Sequence, residues 1–233
     1  MLEFKKIIKK KGFIVGLMLI LLMGAGMVYG VVRFKDSFRA SNVIAFYENF
    51  ACIVLMFSAA KSLGEEFDLK TATFVFTSRS SRSRIFLSKI IAVIMTDMLI
   101  GLIGGLLYAF TIVVAKESWT VSSLSVLVGK EVLAYMLYGF VIGAAGLMLS
   151  SIHCSTIAPF ICLIVAFWIM PGILQLIGQK IDIVGKIVKY LVFCVAEGFL
   201  LYQDWSIKNI IVFIVSGILF TGVGLYILEK KDL

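Results

Sequence analysis

Residues 64–89, GEEFDLKTATFVFTSRSSRSRIFLSK, interrupt an otherwise apolar chain. The stretch carries Glu65, Glu66 and Asp68 at its front and Arg79, Arg82, Arg84 and Lys89 at its back. On both sides lie apolar runs, residues 43–63 and 85–115, each long enough to cross about 30 Å of hydrocarbon. An ordered charged segment between two spans reads as a docking surface for a soluble partner. It points to a membrane subunit of a larger assembly.

Composition agrees. The chain has 233 residues, of which 61% are hydrophobic and 15% charged, with a mean hydropathy of +1.06. A soluble domain of this size has too much surface for that balance, so the class is polytopic membrane protein. Apolar segments fall at 12–32, 43–63, 85–115, 127–150, 157–178 and 208–228. Backbone groups in hydrocarbon must pair within their own segment, which predicts an all-α bundle of six transmembrane helices. The third segment is overlong, and its first turns read as an interfacial helix ahead of the span. Pro159 and Pro171 fall in the fifth and should kink it or bound a broken section. No linker or repeat divides residues 1–233, which read as a single transmembrane domain.

The formal charge is +8. Lysines 5, 6, 9, 10 and 11, the basic residues of the 64–89 stretch, and Lys230 and Lys231 fall on one side of a six-span chain. By the positive-inside rule that side is the cytoplasm, with both termini there and the chain multi-pass in the cell membrane. The basic residues follow the membrane boundaries and build no groove, so lipid head groups rather than nucleic acid are their expected partners. Residues 1–11 read as an amphipathic helix with Phe4, Ile7 and Ile8 on one face, lying at the interface; ordinary basic flanking is the simpler alternative. The first apolar run has the flavour of a signal peptide, but its span length favours a retained helix. Residues 179–207 show helical apolar spacing broken by Lys186, Lys189 and Glu197. They read as an outer re-entrant hairpin, the alternative over 181–201 being a seventh span that would displace the basic C-terminus.

No phosphate-binding loop, zinc-protease motif or serine-nucleophile motif occurs, and His153 is the one histidine. The chain is therefore expected to be no enzyme, with no catalytic residue, metal or cofactor of its own. Charges inside spans are costly and face a cavity or the bundle interior. Glu48, Asp97 and Glu197 are candidates for a substrate or proton pathway, or else for structural pairing. Lys61, Lys130 and Glu131 sit near span ends and read as snorkelling or paired residues. Gly139, Gly143 and Gly146, and Gly101, Gly104 and Gly105, read as close helix packing.

The sequence Glu66-Phe67-Asp68-Leu69-Lys70-Thr71 resembles the E-F-x-x-G-T pattern of ABC-2 type transporter permeases. Thr77-Ser78-Arg79-Ser80-Ser81-Arg82, followed by Ile85 and Lys89, is similar to their T-x-P-x-S-R…K pattern. Lys70 stands where the family often has Gly, and Arg79 where it often has Pro. The six-span plan, the amphipathic N-terminus and the outer hairpin match in layout. The resemblance implies a cytoplasmic coupling helix docking on an ATPase subunit through Glu65, Glu66, Phe67, Asp68, Thr71 and Phe74, with the acidic residues at its start favouring the helix dipole. Phe67, Phe74 and Phe76 would be apolar anchors, and Arg79, Arg82, Arg84 and Lys89 would meet lipid phosphates or the partner.

The expected function is that of a bacterial exporter permease of the peptide-export or immunity kind. It would move a hydrophobic or amphipathic cargo, such as an antimicrobial peptide, a lipid-like molecule or a drug. Expected partners are an ATPase that holds ATP and Mg and a second permease chain, in a homodimer or heterodimer. The alternatives are a non-transporting scaffold or immunity protein, and an ion-coupled secondary transporter.

Overall fold

The computed structural model describes residues 2–34, 37–76, 81–202 and 204–231, all in helices and short connections. The helices are α1 (Leu2–Ile8), α2 (Lys11–Arg33), α3 (Ala40–Asp68), α4 (Ala72–Phe76), α5 (Arg82–Val114), α6 (Val121–His153), α7 (Ile157–Ile164), α8 (Met170–Lys180), α9 (Asp182–Val188), α10 (Val192–Tyr202) and α11 (Ile207–Lys230). A π-helical turn, Val165–Ile169, joins α7 to α8 without a break. Among the described residues, six helices are long and apolar enough to cross a membrane, counting Ile157–Lys180 as one. The chain is thus a multi-pass helical membrane protein.

Helices α3, α5 and α6 pack on one another as the core of the bundle, while α2, α7–α8 and α11 surround them. The outer helices expose most of their apolar side chains, including Leu22, Ile161 and Ile218. That is the pattern of helices whose solvent is hydrocarbon, where an exposed leucine costs nothing. Close approach in the core depends on glycine at particular places. A Cβ on Gly146 would stand 2.9 Å from the Ala59 Cβ, and at this crossing the Ser150 hydroxyl donates to the Ala60 carbonyl at 3.0 Å. A Cβ on Gly64 would stand 2.5 Å from the Ser155 carbonyl oxygen, so only glycine lets α3 pass under the α6–α7 turn.

Two sequence expectations need correction, and a third is narrowed. The third span has no separate interfacial helix. Arg82–Val114 is one helix of 33 residues, because Ser81 caps its start and no proline interrupts it. The acidic residues Glu65, Glu66 and Asp68 do not start a helix. Nothing between Leu63 and Asp68 breaks the backbone, so they form the last turns of the 29-residue α3, the negative end of its dipole. Of the two readings of Glu131, snorkelling and pairing, burial removes the first and leaves the second. Glu131 is 1% exposed, set against Gly105 of α5.

The two prolines of the fifth span flank a π-helical section, and the helix continues past both. Pro159 lies in the first turn of α7, where its missing N–H is harmless. Pro171 lies one residue after the π turn, which closes with the Met170 N–H on the Val165 carbonyl. The wider turn relieves the contact between a proline ring and the carbonyl four residues back. It also sets where Phe167 and Trp168 point.

Candidate functional site

The polar end of the bundle holds α1, the α3–α4–α5 connection and the last turn of α11. Helix α3 stops in a Schellman turn: the Lys70 N–H donates to the Phe67 carbonyl at 3.0 Å and the Thr71 N–H to the Glu66 carbonyl at 2.8 Å. Lys70 takes the left-handed conformation at its centre, φ 57°. Across the turn the Thr71 hydroxyl donates to Glu66 Oε2 at 2.8 Å. Glu66 Oε1 accepts from Lys89 Nζ of α5 at 3.1 Å. Lys89 is only 2% exposed and also donates to the Ser62 carbonyl at 2.7 Å and to Glu3 of α1 at 3.1 Å. Glu65 pairs with Lys10 and, at 3.8 Å, with Lys61.

This network reassigns several expected contacts. Lys89 is an internal staple and is not available to lipid or a partner. Glu65 and Glu66 are satisfied within the chain. Arg82 donates to the carbonyls of Leu228 at 2.9 Å and Lys231 at 2.8 Å, so it caps the end of α11. Phe67 is half-buried and stacks on buried Phe76 with centroids 6.4 Å apart. What remains exposed is Asp68, Lys70 and Arg84, with Phe74 80% exposed and Leu69 65% exposed. Of the three phenylalanines expected as anchors, Phe74 alone faces outward. Leu69 joins it, an apolar residue that the sequence reading passed over; its place as the cap of α3, beyond the last buried turn, is the signal that marks it. Arg79 lies outside the described residues.

Helix α1 keeps its expected amphipathic form, but its apolar face is covered by protein. Ile7 is buried in the main core, and Phe4 and Ile8 pack against it. Burial alone would raise the Glu3 carboxyl. The hydrogen bond from Lys6 and the charge of Lys89 outweigh burial and hold it below the usual carboxylate range. Burial, with the Lys61 and Lys89 charges nearby, lowers Lys10 to about 8.

The second polar region lies within the spans. Glu48 of α3, Asp97 of α5 and Glu131 of α6 are 2%, 0% and 1% exposed. Glycines make room for them: a Cβ on Gly139 would meet Asp97 Oδ2 at 2.4 Å. Tyrosines fill the space between. The Tyr47 hydroxyl donates to the Ile100 carbonyl at 2.7 Å, and Tyr135 packs over Gly101. Neither carboxylate oxygen of Glu48 or Asp97 has a hydrogen-bond partner among the described residues. Glu48 borders a cavity of about 130 Å³ with Cys52, Tyr138, Phe167, Trp168 and Leu200 along its wall. Glu197 belongs to α10 by its backbone, and its side chain is outside what the structure describes. The pathway candidates thus separate. Glu48 and Asp97 are buried on neighbouring core helices, and of these two Glu48 reaches this cavity.

Helices α9 and α10 follow the fifth span. At 1.5 Å per residue they are about 10 Å and 16 Å long, too short to cross. Helix α10 packs against α6, α8, α11 and α3, with Phe199 tilted against Phe213 at 4.7 Å and Phe193 edge-on to Phe167 at 4.9 Å.

Compared with models of known protein families and with curated proteins, the sequence matches none of them.

Proposed function

We propose that this chain is the membrane-embedded permease subunit of an ATP-binding cassette exporter of the ABC-2 type. The observation that carries the reading is the convergence of Glu66, Thr71 and Lys89, three residues of the resembling motifs, on one turn between the second and third spans. That turn carries the exposed Leu69 and Phe74. An ATPase subunit binds there, on the cytoplasmic side, with α4 as the coupling element and Leu69 and Phe74 as its anchors. ATP and Mg are held by that partner. A push on the α3–α4 turn reaches α5 through the Glu66–Lys89 pair, and α11 through Arg82, so spans would tilt together rather than singly. A second permease chain completes the path, α9 and α10 form an outer re-entrant hairpin, and the cargo is hydrophobic or amphipathic.

The test is co-expression with the genomic neighbours, capture of this chain in mild detergent, and an ATPase assay. A stoichiometric ATPase whose turnover depends on this chain supports the reading. Leu69→Ala with Phe74→Ala should release it, since both side chains are exposed and their loss spares the fold. Reversing Glu65 or Glu66 is the poorer test, because it breaks contacts inside the chain. Capture of no nucleotide-binding partner overturns the proposal.

A second reading has its own observation. Glu48 and Asp97 lie buried in the spans with no partner among the described residues, as carboxylates of an ion-coupled secondary transporter would. Transport by the chain alone in proteoliposomes, driven by an imposed proton gradient, would select it.

A further inference from the structure

The cavity beside Glu48 opens between α3, α6, the π turn and α10. Its polar and apolar parts are unequally placed. Glu48 is 2% exposed, and neither of its carboxylate oxygens has a hydrogen-bond partner within the described chain. Buried carboxylates are normally paired, because an isolated charge in a poor dielectric is costly. Among the described residues no basic side chain lines this cavity. Among the described residues the one buried basic side chain is Lys89, which is held at the other polar site.

The rest of the wall is aromatic. Tyr138 comes from α6, and Phe167 and Trp168 come from the π turn, with Ala196 and Leu200 of α10 completing it. Such π turns recur at functional sites because the extra residue re-aims side chains. Ring faces attract an organic cation, more so away from water. The mouth includes exposed Asn49 and Trp168, which is 48% exposed.

Size and donor set narrow the occupant. The volume of about 130 Å³ is close to the roughly 150 Å³ cavity that holds a benzene ring. One carboxylate and one amide are too few oxygens for calcium, which takes about six to eight. An anion would be repelled, and a neutral apolar molecule would leave the carboxylate unpaired.

We infer that this cavity binds a protonated amine on a short apolar stem, with Glu48 as its counter-ion and Tyr138, Phe167 and Trp168 around the stem. The site belongs to this chain alone, so it stands or falls separately from the ATPase reading.

The experiment uses the full chain, purified without partners, in phosphatidylglycerol nanodiscs. Benzylammonium and its neutral analogue benzyl alcohol are titrated by calorimetry and by tryptophan fluorescence. Benzylammonium should bind about tenfold more tightly than the alcohol. Glu48→Gln should abolish that preference. If that variant does not fold, Trp168→Leu serves, since its side chain lies at the mouth; it should weaken the ammonium about threefold. Equal affinities for the two probes, no binding of either, or a preference that survives Glu48→Gln would each overturn the inference. A lower apparent affinity in phosphatidylethanolamine nanodiscs, absent in Glu48→Gln, would identify the lipid amine as an occupant of the same site and so support it.

Discussion

Lys70 sits at φ 57°, a conformation that a Cβ makes costly by about 1 kcal/mol. Glycine is the residue that turn favours, and it is the residue the resembling motif carries there. Lys70→Gly should therefore raise stability by about 0.5 kcal/mol, the relief of strain being partly offset by a freer unfolded chain. Lys70→Val should lower it by about 1 kcal/mol. Thermal unfolding in detergent would read both, and a loss on Lys70→Gly would mean that the side chain matters more than the backbone. Lys89 is the opposite case, a residue kept by its contacts. Removing it leaves Glu3 and Glu66 facing each other, both largely out of water, with side-chain exposures of 25% and 17%. Lys89→Ala should cost about 3 kcal/mol, the low end for a broken buried pair because both carboxylates keep some solvent. Glu3 supplies a pH dependence. Its carboxyl titrates lower in the docked helix than in the free chain. The docking of α1 is then fully stabilised above the ordinary carboxylate value of about 4.3 and weakens as pH falls through the lowered one. Hydrogen exchange of α1 between pH 7 and 3 should show protection lost at the acid end. Glu3→Gln should flatten that curve.

At the level of elements, the six spans were legible because their signal is local: length and apolarity alone decide whether a helix can cross. Their ends were less so. The sequence reading stopped the second span at Leu63, but α3 runs on to Asp68, since charged residues can end a hydrophobic segment without ending a helix. The Schellman turn that does end it depends on Lys70, a residue with no local preference for that conformation. The network at this end joins residues 3, 66 and 89, and no periodicity reports a contact across that separation. The π turn was invisible for the same reason, although Pro171 pointed to a disturbance one turn earlier. The glycines of α5 and α6 read correctly as packing positions, but what they pack against, Asp97, Tyr135 and Glu131, became apparent only in three dimensions. Gly64 shows how strict such a position is. An alanine Cβ would lie 2.5 Å from the Ser155 oxygen and 2.7 Å from the Thr156 Cα, both backbone atoms. The α6–α7 turn must then move as a unit. Gly64→Ala should lower stability by about 2 kcal/mol, as overpacking does. Gly12→Ala, with nothing within 4 Å of its Cβ, is the control and should be neutral or slightly favourable in its helix. Equal thermal midpoints for the two variants would refute the close crossing.

On the scale of the whole molecule, the two polar regions lie at different depths along the same three core helices. One joins α1, α3, α4, α5 and the end of α11. The other spans the middle of α3, α5 and α6 and is walled on one side by α10. Lys231 donates to the Ser151 carbonyl of α6, so the end of the last span meets the end of the fourth, and Glu3 meets the start of the third. These contacts put the beginning and end of the described chain at one end of the bundle. The six helices long enough to cross are an even number, in keeping with that placement, and α9 and α10, of 7 and 11 residues, are each too short to cross alone. The arrangement gives a topology experiment with a sharp outcome. Single cysteines at Lys9 and Lys230, on a background with the native cysteines replaced, should react with a membrane-impermeant maleimide from one side only. Cysteines at Lys116, Lys186 and Lys189 should react only from the other. If the positive-inside rule holds, the first pair is cytoplasmic and requires permeabilised cells. Labelling of Lys186 and Lys230 from the same side would require a further crossing between them. It would also detach α10 from α3 and α6, and with it the wall of the Glu48 cavity.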